Sequence, residues 1–229
     1  MQTMKAIVGA SILGLSMLCS ASHVWAGEDA VQRPEKLVID KKGIKVWTFR
    51  TANNPAFSYR ATTTVDAGVS SIAALILDTG YLSKWVPYVS EVDVLDRDDH
   101  AGTFTIRMQM DFPFPLQDRD VVVKGKITQA SDGVVTIKNQ IGTDPRAPVR
   151  PKIVRITRYE GEWMLKPLAA NKVEVMTTGY ADPAGSVPLS VANMFVEQQP
   201  YEMLLKMKDQ VKRYQNVNTP LVVDPFTKK

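Results

Sequence analysis

The chain has 229 residues, of which 45% are hydrophobic and 23% are charged, and its formal net charge is +4. This length suffices for one domain with a sizeable core, and so small a net charge does not favour a nucleic-acid partner. One cysteine cannot form an internal disulfide, and only two histidines accompany it, which leaves few ligands for a zinc site.

Residues 1–26 have the pattern of a secretory signal peptide. Lys5 supplies the positive charge, residues 6–18 form an apolar run that is short for a membrane span, and Ala26 ends a small-residue cleavage site. We therefore expect cleavage after Ala26. A mature chain without cysteine suits the oxidising periplasm, where we expect the protein to work.

Two alternatives to cleavage at this site are a membrane anchor and a lipoprotein modified at Cys19. Leu18 fits the lipoprotein pattern badly, because a small residue is preferred there. Cleavage removes Cys19 and His23 and leaves His100 as the only histidine. Lys5 is the only charged side chain in the removed segment, so the formal net charge falls from +4 to +3.

The remaining chain divides into a polar leader over residues 27–42, a strand-rich domain over 43–216 and a loose tail over 217–229. Alternating residues predict strands over 43–50, 57–65, 89–95, 103–111, 121–129, 134–141, 153–168 and 172–180. Helical spacing predicts short helices over 70–77 and 81–85 and a long amphipathic helix over 189–214. Short turns and the lack of βα alternation favour an antiparallel sheet.

Few groups of residues in this chain suit catalysis. A hydrolytic triad needs an imidazole base, and His100 lies in a charged turn. Asp96, Asp98 and Asp99 lack the glycine and glutamate of a calcium-binding loop, and the sequence contains no phosphate loop or dinucleotide fingerprint. We therefore expect a protein that is not an enzyme and that uses no cofactor and no metal.

Two polar patterns are ambiguous from sequence. Arg119 lies between Asp118 and Asp120, which favours a structural ion pair over a contact with a ligand's polar head. Arg158 and Glu160 are two residues apart on a predicted strand, so they share a face. That face is either the interior, where they need partners, or solvent, where they need none.

Methionine is frequent beyond residue 26 and recurs on shared faces. Met108 and Met110 share one face of a strand, and Met203 and Met207 share one face of the last helix. This pliable side chain suits a cavity for variable apolar ligands, and ordinary core packing is the alternative.

Six short motifs in a fixed order, spread over most of the chain beyond residue 42, resemble the START (StAR-related lipid-transfer) domain family. The match is closest to its bacterial secreted branch, within the wider SRPBCC helix-grip superfamily. The motifs are GIKVW at 43–47, SKWVP at 83–87, PFP and DRD within 113–120, GEW at 161–163, DPAGSVP at 182–188, and Phe195 with Pro200 and Tyr201. Many members have two glycines in the fifth motif, and Ala184 replaces the first.

The resemblance implies an α+β helix-grip fold, in which a curved antiparallel sheet wraps around the C-terminal helix and encloses a tunnel for one lipid. It implies that residues 112–116 form the rim of an entrance. It also implies structural roles for Trp85, Asp118, Arg119, Asp120, Trp163 and Asp182. Pro200, which would interrupt an ordinary helix, is tolerable as a bend in such a lid.

The predicted ligand contacts lie on the sheet, the proline loop and the inner face of the last helix. They are Met108, Met110, Phe112, Phe114, Val123, Ile137, Asn139, Arg158, Tyr180, Phe195, Gln199, Met203 and Met207. Asn139, Arg158 and Tyr180 are the candidates for recognising the polar head group. We expect a monomer that binds lipid without catalysis, contacts membranes transiently and binds no nucleic acid.

Two other functions stay open from sequence. One is an enzyme resembling polyketide cyclases, which would use Arg107, Arg158 and Tyr180 in the same cavity. The other is an envelope module that binds protein and whose cavity is filled by side chains. The sequence leaves open the class of lipid, the donor and acceptor membranes, and the choice between transfer, sensing and storage.

Overall fold

The structure is a computed structural model that describes residues 35–51, 58–215, 217 and 219–226. The predicted signal peptide and Phe57, the first residue of one predicted strand, lie outside these ranges. All structural statements below concern the described residues.

The described chain forms one large sheet and three α-helices. The strands are β1 (Lys36–Lys41), β2 (Ile44–Phe49), β3 (Ser58–Val65), β4 (Val89–Asp98), β5 (Thr103–Met110), β6 (Asp118–Gln129), β7 (Val135–Ile141), β8 (Ile153–Arg155), β9 (Tyr159–Ala169) and β10 (Lys172–Ala181). The helices are α1 (Val69–Leu77), α2 (Leu82–Trp85) and α3 (Leu189–Gln210), with 3₁₀ turns at Thr79–Tyr81 and Val211–Tyr214.

The sheet has the strand order β1-β2-β3-β10-β9-β7-β6-β5-β4, and neighbours in this order run antiparallel. Short turns join β1 to β2, β4 to β5, β6 to β7 and β9 to β10, and such turns favour antiparallel pairing. The curved sheet and the C-terminal helix form the predicted α+β helix-grip fold, which is confirmed.

The core lies between the concave face of the sheet and the helices. Alternate residues of the strands point into it, and Val46, Ala61 and Leu165 are fully buried there. Leu204 and Met207 of α3 are also fully buried, because this half of the helix contacts β2 and β3. The sheet and the C-terminal half of α3 therefore form a solid base.

The beginning of the sheet differs from the prediction. Residues 36–41, expected in a leader, form β1 and pair with β2 from Lys36↔Thr48 to Lys41↔Ile44. This edge strand is largely exposed, so it lacks the alternation of buried and exposed residues that reveals a strand in sequence. The sheet thus starts before Gly43.

The predicted single strand over residues 153–168 is two strands in the structure. Ile153–Arg155 pairs parallel with the start of β6, and a separate strand begins at Tyr159. The Arg155 guanidinium donates to both carboxylate oxygens of Asp120, at 2.6 and 2.8 Å, and this bond holds β8 on β6. Asp120 is fully buried, so its partner must come from a neighbouring segment.

The tail is also not loose where the structure describes it. Val222 is 6% exposed, and the side chain of Gln129 bonds the backbone of Val223 twice, at 2.8 and 2.9 Å. Pro225 lies against Gly133 in the β6–β7 turn. Residues 219–226 therefore close one end of the sheet.

Candidate functional site

A cavity of about 180 Å³ lies between the concave face of the sheet, α2 and the N-terminal half of α3. The strand wall includes Phe104, Ile106, Met108 and Met110, which alternate along β5. The helix wall consists of residues spaced by roughly one turn of α3: Ala192, Phe195, Val196, Gln199 and Met203. Most of these wall residues are apolar, so the site suits a hydrophobic molecule.

Three glycines in one row across the sheet shape the floor of the cavity. Gly179 pairs with Gly161, Gly161 with Asn139, and Asn139 with Gly125. Aromatic rings lie over the bare backbone: an added Cβ would be 2.0 Å from Phe104 at Gly125, 2.7 Å from Tyr59 at Gly179 and 3.2 Å from Tyr159 at Gly161. At this side of the cavity, aromatic side chains therefore pack directly against glycine backbone.

Two of these rings carry hydroxyl groups that stay neutral. Burial raises the pKa of Tyr59 and of Tyr159, and a hydrogen bond with Thr177 opposes the shift at Tyr59. Desolvation disfavours the phenolate form, so both residues act as neutral hydrogen-bonding groups near neutral pH.

An aromatic cluster closes one end of the cavity. The Phe112 and Phe195 rings stack with centroids 4.5 Å apart, and the Tyr88 ring meets Phe195 edge-on at 4.6 Å. This cluster, Tyr88–Phe112–Phe195, joins the proline loop to α3. Phe114 of the same loop points outward and is 96% exposed.

Arg119 fastens this cluster to the linker before α3. Its guanidinium carbon lies 4.4 Å from the Phe112 ring, and its N–H groups donate to the carbonyls of Gln117, Pro183 and Ala184. Ala184 itself has φ +53°, a left-handed conformation that glycine adopts more easily. Arg119 therefore does not form the ion pair expected with its acidic neighbours.

Three polar atoms of lining residues are buried and have no hydrogen-bond partner among the described residues. They are Thr79 Oγ1, Trp85 Nε1 and Asn139 Oδ1. The buried Tyr180 hydroxyl is next to Arg158, with which it forms a side-chain hydrogen bond. A buried polar group without a partner costs about 1–3 kcal/mol. Such atoms are natural contacts for the polar end of a bound molecule.

Most of the predicted ligand contacts line the cavity. They are Met108, Met110, Phe112, Val123, Asn139, Tyr180, Phe195, Gln199 and Met203. The other four predicted contacts do not line the cavity. Ile137 and Met207 are fully buried in the solid core, because sheet and helix are in direct contact there, whereas Phe114 and Arg158 are exposed.

The residues predicted to be structural have several roles. The ring centroids of Trp85 and Trp163 lie 6.2 Å apart, and both residues line the cavity. The sequence motifs had indicated only a structural role for them. The Asp118 carboxylate accepts from Phe112 N at 3.2 Å, and that of Asp182 accepts from Ala184 N at 3.0 Å.

Tyr59, Thr79, Tyr88 and Tyr159 were missed as lining residues. The alternation along β3 and β9 was the available signal for the first and last of these.

The described residues offer no metal site of three or more His, Cys, Asp or Glu side chains. No helix among them is both long and apolar enough to cross a membrane.

Comparisons with known proteins agree with this geometry. A family model for the START domain matches residues 15–218. An uncharacterised protein of Pseudomonas aeruginosa, PA1579, is 30% identical over 194 residues, which are 84% of this chain and 94% of that protein.

Proteins named for lipid transfer are also similar to this chain. A crystal structure of a STAR-related lipid transfer protein from Xanthomonas axonopodis (fragment 25–204) has 27% identity and a TM-score of 0.71, covering 78% of this chain and 98% of that one. The phosphatidylcholine transfer protein of Bos taurus is 22% identical over 185 residues, which are 79% of this chain and 84% of that protein.

We expect Gly125→Ala to lower the free energy of unfolding by about 1–3 kcal/mol, because its Cβ would overlap the Phe104 ring. Urea denaturation measures the change. Gly80→Ala is the matched control, since its Cβ meets nothing within 4 Å. Equal stability of the two variants would show that the ring does not depend on the glycine.

Proposed function

The chain belongs to the START domain family, and from this premise we propose that it binds one lipid in its internal cavity and transfers it between membranes without catalysing a reaction. The observation that carries the proposal is the apolar cavity between sheet and α3, with unpaired polar atoms in its wall. Each methylene group buried there would contribute about 0.8 kcal/mol before the costs of association.

The cyclase-like alternative loses most of its candidate residues. The guanidinium of Arg107 is buried against Asp93 at 2.6 Å and Glu91 at 3.0 Å, and the residue does not line the cavity. Arg158 is exposed, so only Tyr180 of the three candidates lines the cavity. This arrangement supports binding without chemistry.

The alternative of an envelope module whose cavity is filled by side chains can be judged from the volume of the cavity. About 180 Å³ remains open, which is less than the ~300–1,000 Å³ of typical small-molecule sites. A cavity of this size must widen before it can hold a whole lipid. The aromatic cluster Tyr88–Phe112–Phe195 is the natural point of separation, because it is the contact between the proline loop and α3.

Pro200 gives α3 a place to bend during this opening. Its ring removes one N–H from the helical ladder, and the residues after it, such as Leu204 and Met207, are fully buried. Residues 195–199 are less buried and cover the cavity. Opening therefore moves the N-terminal half of α3 and the proline loop while the other half stays fixed.

In this proposal the protein works in the periplasm as a monomer and touches membranes transiently. The signal-like pattern of residues 1–26 supports secretion. Expression in a bacterial host with cell fractionation should yield a periplasmic protein that begins at Gly27 by intact-mass measurement. Light scattering should give the mass of one chain, and a cytoplasmic, uncleaved product would contradict the proposal.

Met203→Trp should reduce lipid loading by about tenfold, because the larger side chain would occupy the cavity that Met203 lines. Native mass spectrometry after incubation with mixed lipid vesicles measures the loaded fraction. Gln198→Trp makes a similar change on the exposed face of the same helix and should load normally. Normal loading of Met203→Trp, with an unchanged melting temperature, would mean that the lipid does not occupy this cavity.

Phe114→Gln should slow lipid transfer between vesicles several-fold, since the exposed ring beside the entrance is placed to enter a membrane interface. A fluorescence transfer assay between donor and acceptor vesicles measures the rate. Phe226→Gln is the control, because that ring is 46% exposed at the opposite end of the sheet. Identical transfer rates for both variants would exclude Phe114 as the docking contact.

A further inference from the structure

Resting on the proposed function, we infer that the lipid is uncharged and carries a hydroxyl group at its polar end, and that Trp85 Nε1 donates the hydrogen bond that holds this group. An uncharged, hydroxyl-bearing lipid is a narrower chemical class than lipids in general. It excludes lipids whose charged head group is buried in the cavity, such as fatty acids and phospholipids.

The charge of the wall is the first observation. Among the described residues that line the cavity there is no Lys, Arg or His. Glu160 and Glu162 alternate along β9 with the inward Tyr159 and Trp163, so their carboxylates face the outer side of the sheet, where Glu162 pairs with Lys138 at 3.8 Å. An anionic head group buried in this wall would have no compensating cation among the residues that line it.

The buried cations near the cavity are already engaged. Arg119 is only 2% exposed, but the Phe112 ring lies against its guanidinium and three backbone carbonyls take its donors. Arg107 is held by carboxylates and does not line the cavity. Neither residue offers the free, bidentate donor pair that recognises phosphate or carboxylate. The exposed Arg158 does not line the cavity, and its side chain already hydrogen-bonds Tyr180.

The unpaired donor is the second observation. Trp85 is fully buried, lines the cavity and has no acceptor for its Nε1–H, which can only donate. Thr79, 2% exposed on the preceding 3₁₀ turn, has an unpaired hydroxyl in the same wall. A ligand hydroxyl satisfies both, because it accepts from the indole and donates to the threonine oxygen.

The test compares ligands that differ only in their polar end. Purified protein is titrated with 1-hexadecanol, hexadecyl acetate and hexadecyl sulfate, then with cholesterol, cholesteryl acetate and cholesteryl sulfate, and with phosphatidylcholine vesicles. We expect the alcohol of at least one series to bind about tenfold more tightly than its acetate and sulfate.

Each outcome separates the inference from the function on which it rests. If neither alcohol binds more tightly than its own acetate and sulfate, or if phosphatidylcholine binds as tightly as the preferred alcohol, the inference is overturned and lipid binding stands. Binding of none of the seven ligands would overturn both.

Two pairs of variants locate the effect. Trp85→Phe keeps an aromatic ring but removes the donor, so it should bind the preferred alcohol about fivefold more weakly. Trp47→Phe makes the same change outside the cavity, beside Arg60, and should bind like wild type. Unchanged affinity in a folded Trp85→Phe variant would overturn the assignment of this donor.

Gln199→Arg adds a cation to the helix wall and should raise the affinity for hexadecyl sulfate about tenfold. Gln198→Arg adds the same charge at an exposed neighbouring position and should not. This pair tests the charge argument even where Trp85→Phe fails to fold. No gain from Gln199→Arg would overturn that argument.

Discussion

The fold depends on one helix that is tightly packed at one end and lies over open space at the other. Leu204 and Met207 fix the C-terminal half of α3 to the sheet, and both are fully buried. Toward the N-terminus, Phe195 and Gln199 face the cavity instead of the sheet. The same amphipathic helix therefore completes the core and forms a wall of the ligand site, so stability and binding occupy different turns.

Buried polar groups differ in their partners between the two faces of the sheet. Outside the cavity, Asp120 and Arg107 are almost fully buried and have charged partners, as buried ions require. Inside it, Trp85 Nε1 and Asn139 Oδ1 are buried without a hydrogen-bond partner among the described residues. These atoms are therefore the places in the cavity wall where a polar group of a ligand can bind.

Sequence periodicity predicted many of the residues that line the cavity. It failed where the distance between helix and sheet, or the conformation of a loop, determines whether a side chain reaches the cavity. Met108 and Phe195 were identified because strand and helix spacing show which residues share a face. Met207 lies on the same helical face as Met203, yet only Met203 reaches the cavity, because spacing does not report the distance between helix and sheet. Phe114 lies in a loop without periodicity, so its outward direction was not predictable from sequence. The glycine row was missed because its members are far apart in sequence and meet only through strand register.

The docked tail has a consequence for how the molecule is oriented when it is held from that side. Residues 219–226 are fastened at the Gln129 end of β6, whereas the Phe112 entrance lies beside its Asp118 end. A strand of 12 residues spans about 40 Å at about 3.3 Å per residue. A surface or partner domain attached through the tail would therefore face away from the entrance, and the cavity would open toward a membrane on the far side.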